Sequence, residues 1–276
     1  MRVLVTTAVP VERDAVAAAF APAVTAVTAG DGTHGEYSVP GAALRRVTLP
    51  ADRSAPSDAL GSGPPVFDLL AGGVGPAAAA ASTAAALTAA ALTGEPYGVV
   101  VSAGIGGGFR PGAPVGSLVL ADEITVADLG AETPASDGTA AAAGTATPGF
   151  APVTELGFGT VTHRPPASLV RELAAVTGAR TGTVLTVSTV TGTAGRAAEL
   201  RRRHPRALAE AMEGFGVAEA AAAQGVPVLE IRAVSNPVGP RDRAAWRIGD
   251  ALTALTGAFG KLAPVLESWN PHDRTH

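Results

Sequence analysis

Short apolar runs alternate with amphipathic stretches along this chain, and the alternation predicts strands interleaved with helices. Residues 2–7 (RVLVTT) are apolar and β-branched, as a first central strand should be. Pro10 opens a turn, and 11–20 predict a helix carrying Glu12, Arg13 and Asp14 in its first turn. Between 21 and 66 only short β-like pieces stand out, at 23–27 and 42–49, separated by Gly, Pro, Asp and Ser clusters. An apolar strand end then runs into Gly72-Gly73-Val74-Gly75-Pro76, and an Ala-rich helix follows over 76–92. Residues 97–108 (YGVVVSAGIGGG) read as a buried strand that breaks into glycines, and 116–122 as the next strand. Further on, 168–177 predict a helix, 181–190 a strand and 195–203 a basic helix.

The most informative stretch is 205–239. Leu208, Met212 and Phe215 recur at helical spacing and predict a helix that stops at Gln224-Gly225. Glu213 then falls in the middle of an apolar, small-residue run, where a carboxylate needs a reason. Residues 226–234 read as a continuous apolar strand interrupted by Glu230 and Arg232, delivering Ser235-Asn236 into a Pro237/Gly239 loop. In open α/β sheets that end of a strand is where ligands bind. Residues 241–268 predict a closing helix with Trp246, Ile248, Leu252 and Leu255 on or near one face. Six strands interleaved with helices indicate an α/β fold, a three-layer sandwich with a mixed central β-sheet flanked by helices, in one domain spanning 1–276. The weakly periodic segment 128–165, with its Ala/Thr/Gly/Pro tract at 134–148, is expected to act as a lid or a partner contact, its second half touching substrate.

Composition narrows the chemistry. With 276 residues and 47% apolar content the chain can bury a large core. A net charge of −4 with 16% charged residues gives no argument for nucleic acid or an anionic membrane, so the expected partner is a small molecule. There is no cysteine, and the five histidines have no metal-ligand spacing, so neither a metal nor a cofactor is expected. The opening apolar run is too short for a secretory signal, and the longest membrane candidate, 76–92, is mostly Ala with Ser and Thr; the expected location is cytoplasmic.

The Met212-Glu213 pair, followed by an apolar strand ending Arg232-Ala233-Val234-Ser235-Asn236, resembles the purine nucleoside phosphorylase/nucleosidase superfamily. Within it, the chain resembles the methylthioadenosine/S-adenosylhomocysteine nucleosidases and the futalosine hydrolases. The resemblance covers 1–12, 73–80, 102–122 and 188–239, and implies a nucleoside phosphorylase-like fold and a homo-oligomer built from dimers. It implies that Glu213 holds two ribose hydroxyls while Met212 packs against the sugar. An ungapped match from Met1 places Glu12 on the residue that activates the hydrolytic water. Gly104 and Ile105 fall on the floor beside the sugar, with Ile105 where the family usually has Ser, and Ser188 opens the last matched segment and joins the substrate-binding set.

Cleaving an N-glycosidic bond passes through an oxocarbenium-like sugar, so a site needs a grip on the ribose, a carboxylate for water and donors for the departing base. Glu213, Glu12 and Asn236 can supply these. Each has a plainer reading: Glu12 as a helix-start acid, Glu213 as a solvated side chain, Asn236 as a turn residue before Pro237. Arg232 either orients Glu12 and its water or pairs with Glu230 or a helix carboxylate. Adenosine-type nucleosidases end this strand in Ser-Asp; an Asn amide instead suits a 6-oxopurine, which presents acceptors at both N7 and O6. The resemblance therefore implies release of hypoxanthine from futalosine, with methylthioadenosine cleavage or phosphorolysis as alternatives and a non-catalytic nucleoside-binding protein as a third. The aromatic carboxylate of futalosine would meet Arg110, His163 or Arg164.

Overall fold

In the computed structural model, which describes residues 1–20, 34–39, 42–48, 65–134 and 149–269, the opening β-branched run forms β1 (Arg2–Thr7) inside a ten-stranded sheet. The other strands are β2 (His34–Val39), β3 (Ala42–Thr48), β4 (Val66–Ala71), β5 (Val99–Gly108), β6 (Leu118–Val126), β9 (Thr162–His163), β10 (Arg180–Thr186), β11 (Ala207–Ala211) and β12 (Val228–Pro237). Their order is β11-β10-β6-β12-β5-β1-β4-β3-β2, with β9 beside β6. β1, β4, β5 and β12 run parallel, whereas β6 meets β12 antiparallel, so the sheet is mixed. β11 also pairs antiparallel with the end of β5, Ala209 opposite Gly108 and Glu210 opposite Gly107, so five strands close on themselves. The expected strand at 23–27 lies outside the described residues.

Among the described residues, six helices lie against the sheet. α1 (Pro10–Ala18), α3 (Ala167–Thr177) and α6 (Ile248–Ser268) pack over one core with Val5, Leu69, Val101 and Ile231, while α2 (Pro76–Leu92) and α5 (Gly214–Ala223) pack over the other with Leu4, Val100 and Val234. Helix α4 (Ala194–Arg203) contributes Leu200 to a smaller cluster with Phe109 and Leu185. The three layers follow from the sequence pattern: β1, β5 and β12 are buried on both sides because helices cover both.

Two expectations need correction. The helix expected from 205 is a strand, β11, followed by a turn at Met212-Glu213 and then α5, so Leu208 and Phe215 share no helix face. Leu208 packs where Gly112 and Gly182 have no Cβ, at 2.8 and 2.7 Å from the space a methyl would take. The closing helix begins at Ile248; Trp246 lies in the turn before it, Ile248 is 41% exposed, and the buried stripe is Ala251, Leu255, Ala258, Phe259, Leu262 and Leu266. Within the segment 128–165 the described residues form a hairpin of β7 (Gly130–Thr133) and β8 (Gly149–Pro152) plus β9; the tract 135–148 lies outside the described residues.

Candidate active site

The C-terminal ends of β1, β5, β11 and β12 converge, and each delivers a residue of the predicted set. Just past β1, Pro10 starts α1 and Glu12 turns back into the protein, only 4% exposed. Its Oε2 accepts hydrogen bonds from the backbone N–H of Ala8 (3.0 Å) and Val9 (3.3 Å), and its Oε1 from Ile105 N–H (2.9 Å). The Val9 contact is a capping-box bond, so the helix-start role and the placement in the site belong to one side chain. Burial raises the Glu12 carboxyl above its ordinary range; the Ile105 N–H and the charge on Arg232 pull the other way, and Glu213 adds repulsion.

Glu213 stands at the junction of β11 and α5, 5% exposed. Its Oε1 accepts from Gly75 N–H at 3.3 Å, and its Oε2 from Met212 N–H and from Arg232 Nη1, both at 3.3 Å. Gly75 has φ +92°, a conformation that L side chains rarely adopt, so the glycine turn after β4 exists to aim that N–H. Met212 is half-buried beside it.

Arg232 is fully buried. Along β12 it shares a face with Glu230, two residues back, and donates Nε–H to Glu230 Oε1 at 2.8 Å. Nη1 goes to Glu213, and Nη2 donates to Ser102 Oγ at 2.9 Å. The ion-pair reading of Arg232 therefore holds: its hydrogen bonds go to Glu230, Glu213 and Ser102, and it acts on Glu12 through charge. Gly104 is the partner of Arg232 across the β5–β12 ladder, and a Cβ there would lie 2.7 Å from both Arg232 Nη1 and Glu12 Oε1. Of the floor glycines, Gly106 and Gly108 make room for protein rather than ligand: a Cβ would meet Glu210 O at 2.8 Å and Ala113 O at 2.1 Å.

The regular alternation of β12 breaks at Ser235, where the register against β5 shifts. Asn236 follows, half-buried, its Oδ1 accepting from Ser235 Oγ–H at 2.8 Å and its Nδ2 donating to Pro237 O at 3.1 Å. One Nδ2 hydrogen is left for a base, where the sequence reading counted two. Ser188 is exposed at the end of β10, its backbone N–H donating to Asp128 Oδ2 at 2.7 Å. His163 Nε2 lies 2.6 Å from Glu219 Oε1 with its ring 5.3 Å from that of Phe215, Arg164 pairs with Glu123 at 2.8 Å, and Arg110 is exposed past the end of β5.

A model of the phosphorylase superfamily matches residues 60–263, and the futalosine hydrolase of Streptomyces coelicolor is 68% identical over 274 residues, covering 99% of this chain and all of that one. The chain belongs to the futalosine hydrolases of the phosphorylase superfamily. The futalosine hydrolase of Acidothermus cellulolyticus is 45% identical over 71% of this chain and 74% of its own. Among solved structures, the native futalosine hydrolase of Helicobacter pylori has the same fold, with a TM-score of 0.68 at 14% identity over 96% of this chain and 97% of that one.

Two features of this futalosine hydrolase family member escaped the sequence reading. Glu210, alternating with alanines along β11, is buried and accepts from both the N–H (2.8 Å) and Oγ1–H (2.5 Å) of Thr191, pinning the loop after β10 to the site. Ser102 looked like one more strand residue, yet it is the third anchor of Arg232. A cleft of about 420 Å³ between β6, β8 and the end of α4, lined by Glu123, Phe150, Arg203 and His204, includes no member of the carboxylate cluster. Among the described residues no three His, Asp or Glu side chains group as a metal site, and no helix is long and apolar enough to cross a membrane.

Proposed function

We propose that the chain hydrolyses the N-glycosidic bond of futalosine, releasing hypoxanthine and dehypoxanthine futalosine in a route to menaquinone. The observation that carries this reading is Glu12: a buried carboxylate held by three backbone N–H groups, those of Ala8, Val9 and Ile105, with a second carboxylate, Glu213, in the same buried cluster around Arg232. A negative group in that position repels phosphate and accepts a proton from water, which favours hydrolysis over phosphorolysis.

In the proposed reaction Glu213 accepts hydrogen bonds from two ribose hydroxyls with Met212 against the sugar. The C1′–N9 bond breaks with its electron pair going to the purine, whose N7 or O6 takes a hydrogen bond from the remaining Nδ2–H of Asn236. Water attacks C1′ as Glu12 takes its proton; Glu12 then gives that proton up to solvent, and solvent protonates the departing base, so the net reaction adds one water across the bond. For the substrate's aromatic carboxylate, His163 and Arg164 would each have to leave a carboxylate they already meet, whereas Arg110 is exposed at the end of the glycine strand.

The test is chromatography of futalosine, methylthioadenosine and inosine after incubation with and without phosphate. Futalosine should yield hypoxanthine and a free sugar product at a rate indifferent to phosphate. Preferential cleavage of methylthioadenosine would overturn the substrate, and a phosphorylated sugar the reaction. We further propose a homo-oligomer built from dimers through 128–165. Sedimentation at assay concentration should give at least a dimer; a fully active monomer would remove this part of the reading.

A further inference from the structure

Three carboxylates, Glu12, Glu213 and Glu230, surround one guanidinium with every member of the set buried. The hydrolysis proposed above uses Glu12 and Glu213 and gives no task to Glu230, which is wholly enclosed on β12 two residues before Arg232. Burying a carboxylate is costly, so a fold that places one there gains something by it. The fold also makes space for it: Gly214, immediately after Glu213, has no Cβ, and one would lie 2.1 Å from Glu230 Oε2 and 2.3 Å from Oε1.

Resting on that hydrolytic reading, we propose that Glu230 is a positioning residue: it holds Arg232 by Nε so that the guanidinium serves Glu213 and stays off Glu12. A guanidinium presents its donors in a rigid fork, so fixing Nε fixes where Nη1 and Nη2 point. With Nε on Glu230 Oε1 and Nη2 on Ser102 Oγ, Nη1 faces Glu213 at 3.3 Å. Without the Nε anchor the nearest other carboxylate is Glu12, since Nη1 and Glu12 Oε1 flank the same missing Cβ of Gly104. A direct ion pair there would make Glu12 a weaker base and loosen the grip on the ribose. The charges bearing on the cluster come from its own members: Glu12 from α1, Glu213 from the β11–α5 junction, Glu230 and Arg232 from β12. From β5 come the neutral Ser102 and the Ile105 N–H.

The experiment compares wild type, Glu230→Leu and Glu230→Gln in the full chain, by the pH dependence of kcat and KM for futalosine and by ¹³C NMR titration of the Glu12 carboxyl. Glu230→Leu should lose about a hundredfold in kcat with a smaller rise in KM, and Glu12 should titrate about one pH unit lower as the guanidinium turns onto it. Glu230→Gln keeps an oxygen for the Nε–H and should recover about tenfold of that loss. An unshifted Glu12 titration in Glu230→Leu, or equal losses in Leu and Gln variants, would overturn the proposal. If the Leu variant does not fold, hydrogen exchange of the Arg232 Nε–H in wild type decides: slow exchange is expected, and rapid exchange refutes the anchor. Should wild type prove inactive on futalosine, the functional reading fails, while the titration and exchange measurements still judge Glu230.

Discussion

Glu12 closes the first turn of its helix and faces the reaction with the same carboxylate, so a substitution there must be chosen to separate the two. Glu12→Gln keeps one oxygen for the Ala8 and Val9 N–H groups, turns its NH2 toward the Ile105 N–H and removes the base; kcat should fall by about 10²–10⁴ while nucleoside binding, measured by calorimetry, persists. Because burial raises the Glu12 carboxyl, its base form is lost from a higher pH than an ordinary carboxylate, and the acid limb of the wild-type kcat profile should lie above about pH 4.3. Asn236 is the second residue with a readable consequence. In Asn236→Asp the Pro237 carbonyl, now 3.1 Å from Nδ2, would face an oxygen, which favours a protonated carboxyl with its hydrogen partly committed to Pro237. The preference for a 6-oxo over a 6-amino base should therefore shrink by about 1–3 kcal/mol without fully inverting, read as kcat/KM for futalosine and its 6-amino analogue. Equal ratios in both proteins would mean that Asn236 does not read the base.

Between elements, the site depends on a glycine that lets β12 and α1 approach β5. Gly104→Ala puts a methyl 2.7 Å from both Glu12 Oε1 and Arg232 Nη1, neither at the end of a free side chain, so activity should drop at least about tenfold with a smaller loss of Tm. A variant with unaltered kcat would show that the cluster can relax around a Cβ. Much at this scale could be read from the residues: β1, α2, β5 and β12 announce themselves by apolar runs and punctuating glycines, and Glu12, Glu213 and Arg232 do come together in space, with Asn236 four residues further along β12. β11 could not be read, because Ala207–Ala211 is short and Ala-rich, and the spacing of Leu208, Met212 and Phe215 imitates a helix. Its strand state comes from partners on both sides, β10 and the end of β5, which no local window contains. The bulge at Ser235, which sets the direction of Asn236, is likewise a property of pairing.

Across the whole molecule, the far side of the sheet from the five-strand closure has its own buried charge. Asp68 on β4 accepts from Arg2 (2.6 Å), Arg46 (2.8 Å) and Tyr97 (2.8 Å), joining the N-terminal strand to β3 and to the loop before β5. Burial alone would raise its carboxyl, but the hydrogen bonds from Arg46 and Arg2 hold it below the ordinary range. The folded state thus binds this proton less readily than the unfolded chain, so the stability Asp68 contributes is complete above about pH 4 and is lost as pH falls through its depressed value. Asp68→Asn should cost about 3 kcal/mol at neutral pH and flatten the acid limb of a Tm-against-pH curve. The order of the strands carries a different implication. β12 is the last strand to be synthesised, yet it lies between β5 and β6, which precede it by about a hundred residues or more. A chain still on the ribosome therefore has two unpaired inner edges waiting, and neither Arg232 nor Asn236 has yet emerged. Biosynthesis becomes a race between arrival of the final strand and aggregation through those edges, and the nascent protein has no nucleosidase activity to release until the race is over.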